Sequence, residues 1–448
     1  MKNNRFKFIV NALKSSLFVL TLIVGLIVSM LIPLRPTYSE NEKRELTKFP
    51  ALTASSLADG SFFAGIDTWF ADTFPFREAM ISAYGGIEDL YGLHTTKVHG
   101  KVDDGDDIPD TPSKAGASSG ASSGTASSGS SSTGSSSAAS SQDNEPAEQG
   151  LSMGGVLLIK NAAYEYYNFN KSCADRYSAA VTNAANRLNG ISNVYDMVVP
   201  TSIGITLNEA TRKSINSSDQ QKAINYIYGS MGDGVKTVNV YDTLMSHRSE
   251  YIFFRTDHHW TQLGAYYAYQ QFANRAKFMP IEQSRYSTVT YDGFLGSFYA
   301  ATKKDATLAA TPDSITAFKL INNASMNVVG KNGSSFSWPI IGDPTKSAEN
   351  LKYAATFIGG DNPLSTITNN DLPEGDSCIL VKESFGNAFA PLLIPHYKNI
   401  YVVDYRYYKG GLIRLAQEKG VKDVIFLNNI SATRTSARVT EMENLINR

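Results

Sequence analysis

The sequence predicts an α/β fold with a mostly parallel sheet and flanking helices. Three observations carry this. Short apolar runs rich in Val, Ile and Phe recur after residue 154, among them VLLIK, VYDMVVP, CILV, IYVV and DVIFL. Between several of them lie stretches whose apolar residues repeat at helical spacing. Gly, Pro, Asn and Asp punctuate the runs, and strands that alternate with helices are joined by crossovers and lie parallel.

Taken in order, Lys2, Arg5, Lys7 and Lys14 precede an apolar, uncharged run over residues 16–34. Its length is close to the ~20 residues a helix needs to span a bilayer. The cations predict a cytoplasmic segment over residues 1–15 and everything after Arg35 outside the cell, a single-pass protein of the cell membrane. SMLIPLRPTYSE offers no small-residue cleavage site, so a retained anchor is expected rather than a removed signal peptide. Residues 35–100 read as a charged stalk, SENEKRELTKFP, followed by amphipathic helices. There Phe63, Ile66, Trp69 and Phe70 share a helix face, Pro75 interrupts, and Met80, Ile81, Ile87 and Leu90 resume the pattern. Residues 101–150 turn acidic and then become a Ser/Gly/Ala tract, which has no apolar surface to bury and reads as a disordered linker.

The first part of the α/β domain spans residues 151–278: a strand at VLLIK, a helix over Cys173–Asn189, a strand over Val194–Pro200, a helix over Asp219–Met231, a strand at VKTVNVY, and a helix after Thr261, which is placed to cap it. Residues 279–376 are rich in Gly, Ser, Asn and Thr with short β-like runs, and read as a largely β insertion over the site. Residues 377–448 return to strand and helix.

The formal net charge of -1 in 448 residues gives no electrostatic case for nucleic acid. Two cysteines, Cys173 and Cys378, exclude a disulfide framework, and buried unpaired thiols are expected. No Cys/His spacing suggests zinc. Adjacent His258 and His259 rarely converge on one ion, so no metal and no cofactor is expected.

Three features carry candidate chemistry. In Thr256-Asp257-His258-His259-Trp260, an extended segment places Asp257 and His259 on one face. A carboxylate there fixes the imidazole tautomer and frees Nε2 as a base, with His258 directed elsewhere. A structural Asp–His pair at a helix start is the plainer alternative. In Lys382-Glu383-Ser384-Phe385-Gly386-Asn387, Ser384 follows an apolar strand, where open α/β sheets hold their sites. It is a nucleophile candidate beside helix N–H groups that would stabilise an oxyanion, or else a helix cap. Asn428 and Asn429 end another strand and are oxyanion or turn candidates; Arg406 is a candidate for binding an anionic group or sugar, or an ion-pair partner.

TDHHWTQLGAYYAY with the downstream KESFGNAF resembles the DHHW protein family, and also the D-x-H-W-T motif of the alginate O-acetylation proteins of AlgX and AlgJ type. The stalk and DTFPFREAMI share the resemblance. It implies a circularly permuted, SGNH-hydrolase-like (flavodoxin-like) fold in which the Asp/His block precedes the serine block. It assigns Ser384 as nucleophile, His259 as base and Asp257 as the residue orienting it. The serine block reads KES where SGNH hydrolases have GDS. The activity implied is O-acyl transfer, acetyl first, to a cell-surface polysaccharide, with a membrane-bound O-acyltransferase partner delivering the acyl group. An acetylesterase with the same triad, or a non-catalytic glycan-binding or assembly component, are the alternatives.

Overall fold

The computed structural model describes residues 20, 35–39, 44–58, 60–75, 96–109 and 155–448. The expected anchor over 16–34, apart from Leu20, lies outside these residues, as do residues 110–150 of the expected linker. Among the described residues no helix is long and apolar enough to cross a membrane. The chain divides into two compact units, Met1–Leu93 with Ala121–Ser152, and His94–Gly120 with Met153–Arg448.

In the first unit the amphipathic reading yields a helix over Ser61–Asp72 that ends before Pro75. Trp69 takes the edge of Phe49 at 4.8 Å and the guanidinium of Arg35 at 3.9 Å. Arg35 also donates to Thr73 Oγ1 at 2.8 Å.

The second unit begins with an antiparallel three-stranded sheet: β1 Thr96–His99, β2 Val156–Ile159 and β3 Ala162–Glu165. Residues 101–109, read from composition as linker, are instead seated on this unit. Asp106 donates its amide to Phe169 O at 2.8 Å and accepts from the Lys171 amide at 2.8 Å, while Ile108 packs on the core. The acidic side chains of Asp104 and Asp106 accept from Asn216 and the Lys171 amide, distant in sequence, which composition alone does not show.

Helix α1 (Lys171–Arg187) is capped by Asn170, whose Oδ1 accepts from the Cys173 amide. It leads to β4 (Asn193–Val199), almost wholly buried and stopped by Pro200. Helix α2 (Gln220–Gly229), capped by Asp219, crosses to β5 (Val235–Thr237), which pairs parallel with β4 at the sheet edge. Helix α3 (Gln262–Ala276) follows, with Thr261 as its cap. The next strands are β6 (Thr288–Phe294), β7 (Asp313–Phe318), β8 (Ala324–Val329), β9 (Ser335–Ser337) and β10 (Leu364–Asn369). Last come β11 (Ser377–Lys382), β12 (Asn399–Asp404), helix α4 (Leu412–Lys419), β13 (Asp423–Asn429) and helix α5 (Ser436–Asn447).

The main sheet has eight strands in the order β9-β8-β10-β12-β11-β13-β4-β5. Five of them, β12, β11, β13, β4 and β5, run parallel, as the alternating pattern predicts. The rest corrects the expectation of a separate β insertion. β10, β8 and β9 continue the same sheet in antiparallel sense, so the sheet is mixed. Only β6 and β7 pair with each other apart from it. The insertion also holds short helices at Ser297–Ala301 and Lys352–Thr356. In β11, Cys378, Ile379, Leu380 and Val381 are fully buried, and each large side chain contributes roughly 1.5–3 kcal/mol of burial. Cys173 and Cys378 are both buried and unpaired.

Candidate functional site

The parallel register aligns the carboxyl ends of the central strands. Lys382 at the end of β11 lies beside Asp404 of β12 and Leu427 of β13, and Asn429 lies beside Val199 of β4. Ser384 therefore emerges two residues past the middle of this edge, where side chains from several loops converge. It caps no helix. The helix Gly386–Phe389 starts after Phe385 without a side-chain cap, and Ser384 Oγ instead meets His259 Nε2 at 2.7 Å.

The segment holding His259 is pinned at both ends. Phe253 and Trp260 form an antiparallel bridge, and Trp260 donates its indole N–H to Phe385 O at 3.0 Å, tying the imidazole segment to the serine turn. Asp257 Oδ1 lies 2.5 Å from His259 Nδ1 and accepts the His259 amide at 2.9 Å. Oδ2 accepts from the Ser297 amide at 2.7 Å. Burial alone would raise the Asp257 pKa. The imidazoles of His259 and His258 and the hydrogen bonds from His259 and Ser297 outweigh it, holding the carboxyl well below the usual range. An ionised Asp257 fixes the proton of His259 on Nδ1 and leaves Nε2 to accept from Ser384. Gly296 permits this close approach, since a Cβ there would collide with the Asp257 carboxylate.

Asp257, His259 and Ser384 thus come together, each at most 7% exposed. The other sequence candidates do not join them. Asn429 spends its side chain on the Ala432 amide as a helix cap and its own amide on Glu383 Oε1 at 3.0 Å. Asn428 donates to the Tyr177 hydroxyl of α1 at 3.3 Å, and that hydroxyl donates to Asp196 Oδ1 at 2.6 Å. Arg406 holds Asp404 through Nε and Nη2 at 2.8 and 2.6 Å, and Asp361 at 2.8 Å. Lys382 joins the same buried network, at 2.8 Å from Asp361 and 3.0 Å from Asp404. The ion-pair reading of Arg406 is therefore the one realised, in the interior rather than at the surface.

Four participants were not legible as such. Tyr353, from the insertion, stacks on His259 with centroids 4.1 Å apart and donates to Ser384 O at 3.3 Å. Ser297 holds both Asp257 and His258. Glu383, the residue that departs from the GDS pattern, accepts the Phe385 amide at 3.2 Å with Ser384 Oγ also at 3.2 Å. The Phe385 N–H, at the start of the helix whose amides were read as facing an oxyanion, is thus occupied by this carboxyl. Burial raises the Glu383 pKa against the opposing pull of Arg406 and the two amides. His258, expected to point elsewhere, stacks over His259 with centroids 3.9 Å apart. Residues 255–259 form a run of bends, so the alternation of an extended strand does not apply.

Asp257, His258 and His259 are also close enough for their donor atoms to share an ion. Both Asp257 oxygens and both His259 nitrogens are already engaged with protein partners, so the donor set does not fit one.

The fold and site define a mixed α/β protein with a Ser–His–Asp cluster at the strand ends of its sheet. The model of the DHHW protein family matches residues 42–115 and 135–403. The chain belongs to the DHHW family. Comparison with curated proteins gives no match. Among solved structures, a DHHW family protein from Eubacterium siraeum is 27% identical with a TM-score of 0.59, covering 66% of this chain and 96% of its own. PatB1 of Bacillus cereus, solved with a sulfonyl adduct, is 17% identical with a TM-score of 0.55, covering 65% and 98%. AlgX of Pseudomonas aeruginosa is 14% identical with a TM-score of 0.34, covering 62% of each chain.

Proposed function

We propose that this protein is a membrane-anchored, extracytoplasmic O-acyltransferase that moves an acyl group, acetyl first, to a hydroxyl of a cell-surface polysaccharide. The observation that carries the reading is the 2.7 Å approach of His259 Nε2 to Ser384 Oγ, with Asp257 on Nδ1. Ser384 Oγ attacks the acyl carbonyl while its proton passes to His259 Nε2. The imidazolium, stabilised by ionised Asp257, returns the proton to the departing group and leaves an acyl-serine. A glycan hydroxyl then attacks the acyl carbon, His259 takes its proton, and that proton restores Ser384. The TDHHWT resemblance to the alginate O-acetylation proteins supplies the reaction class. Residues 16–34 would hold the domain beside a membrane-bound O-acyltransferase partner.

The test is incubation of the purified protein with p-nitrophenyl acetate. Wild type releases nitrophenolate and carries an acetyl group on the Ser384 peptide by mass spectrometry, and Ser384→Ala does neither. Absence of both in the wild type with any activated ester removes the enzymatic reading and leaves glycan binding. Added saccharide that gains the acetyl group separates transfer from hydrolysis.

A further inference from the structure

His258 keeps a buried ring nitrogen with no partner. Its Nδ1 lies 2.6 Å from Ser297 Oγ, and the same oxygen accepts the His258 amide at 3.2 Å. The Ser297 hydroxyl has one proton, and among the described residues Nδ1 is its one acceptor. The hydroxyl therefore donates to Nδ1, and the proton of the neutral ring sits on Nε2. Burial and the neighbouring His259 both disfavour a second proton on His258, against the pull of Asp257, Glu165 and Glu383. Nε2–H is then a donor with no acceptor, on a side chain 91% buried. Such groups are rare, and one beside a nucleophile points to something absent from the resting site.

Its direction follows from the stack. His259 and His258 both turn Nδ1 toward Asp257 Oδ1, at 2.5 and 3.9 Å. Their rings lie 3.9 Å apart at 37°, so both Nε2 edges face away from Asp257 on the same side. One of those edges meets Ser384 Oγ. The other is one ring spacing away, where the carbonyl oxygen of an acyl group on Ser384 would lie. Two neighbouring amides, those of Phe385 and Asn429, are spent on Glu383, so the His258 donor adds to what the Ser384 amide itself can offer.

We propose that His258 is a further catalytic residue of the acyl-transfer site, whose Nε2–H binds the acyl carbonyl oxygen and stabilises its charge as Ser384 attacks. His258 keeps its proton throughout; His259 alone takes and returns the serine proton. The assignment rests on the acyl-transfer reading above.

The experiment measures kcat and KM for p-nitrophenyl acetate with full-length wild type, His258→Leu and His258→Gln, each shown to be folded by circular dichroism. Leu removes the donor, and Gln restores an amide N–H near the place of imidazole Nε2. We expect Leu to lower kcat about 100-fold or more with KM within about threefold, as loss of one oxyanion donor does. Gln recovers at least about tenfold of that loss. A kcat in Leu within about threefold of wild type, or a Gln variant no better than Leu, overturns the assignment while acyl-Ser384 in the wild type leaves the function standing. No acyl-Ser384 in the wild type overturns both.

Discussion

Asp196 sits in the middle of β4, fully buried, with Oδ1 on the Tyr177 hydroxyl and Oδ2 without a partner. Burial pushes its pKa from 3.8 up to about 7, with the tyrosine pulling weakly the other way. Between roughly pH 4 and pH 7 the folded protein therefore holds a proton on Asp196 that the unfolded chain has released. Stability from this group is full below the unfolded value and falls as pH rises through the folded one. At about 1.4 kcal/mol per pH unit, the ionised carboxyl costs about 4 kcal/mol above pH 7. Asp196→Asn copies the protonated form. Its Oδ1 still accepts from Tyr177, and its Nδ2 gives a donor to the polar cluster that also holds the orphaned Asn428 Oδ1. Urea unfolding of both proteins at pH 5 and pH 8 measures the effect. The variant should gain up to about 4 kcal/mol over wild type at pH 8 and much less at pH 5. Parallel pH dependences, or a variant less stable at pH 8, would show that Asp196 is ionised in comfort and refute the reasoning.

Other expectations follow from the site. Asp257→Asn should lower the rate with p-nitrophenyl acetate by about 10⁴ without unfolding the protein, because an amide favours the wrong tautomer of His259; a smaller loss than tenfold would mean that Asp257 does not set it. Gly296→Ala should displace the Asp257 carboxylate and lower kcat, whereas Gly190→Ala, in open space at positive φ, should touch stability alone; equal kinetics in the two variants would contradict this. Tyr353→Ala opens a cavity over His259 and should cost about 3–5 kcal/mol in denaturant melts, against about 1 kcal/mol for Tyr353→Phe, which keeps the stacked ring. Lys382→Met leaves Asp404 and Asp361 short of a cation and should destabilise by about 3–5 kcal/mol, with Arg406→Met comparable.

Much of this site was readable because its chemistry is local. Asp257 and His259 are two residues apart, and Ser384 stands where an apolar strand stops. The parallel strands β4, β11, β12 and β13 were readable because each is buried on both faces and so appears as a largely apolar run. What escaped was set by distant partners. β8 and β10 alternate buried and less buried residues and, with the short β9, lie in a polar stretch, so nothing local says that they join the sheet of CILV and IYVV rather than form their own. Tyr353 and Ser297 reach the site through that insertion. One sign was available for the ion network: Lys382 ends a strand of otherwise apolar residues, and a lysine there requires a buried counter-charge, here Asp404 and Asp361. For Asn428 and Asn429 the sequence left oxyanion and turn roles open, because a strand end admits two directions; their side chains meet α1 and the following helix.

The order of the parts along the chain has a consequence for biogenesis. His259 and Ser384 are 125 residues apart, and four strands of the main sheet, β8, β9, β10 and β11, are made in between. A polypeptide leaving the ribosome presents His259 long before Ser384. Until its last several dozen residues arrive and slot between strands already laid down, the sheet edge that holds Ser384 against His259 is incomplete. Under the acyl-transfer reading proposed above, the order of the sequence itself keeps base and serine apart until the sheet is complete.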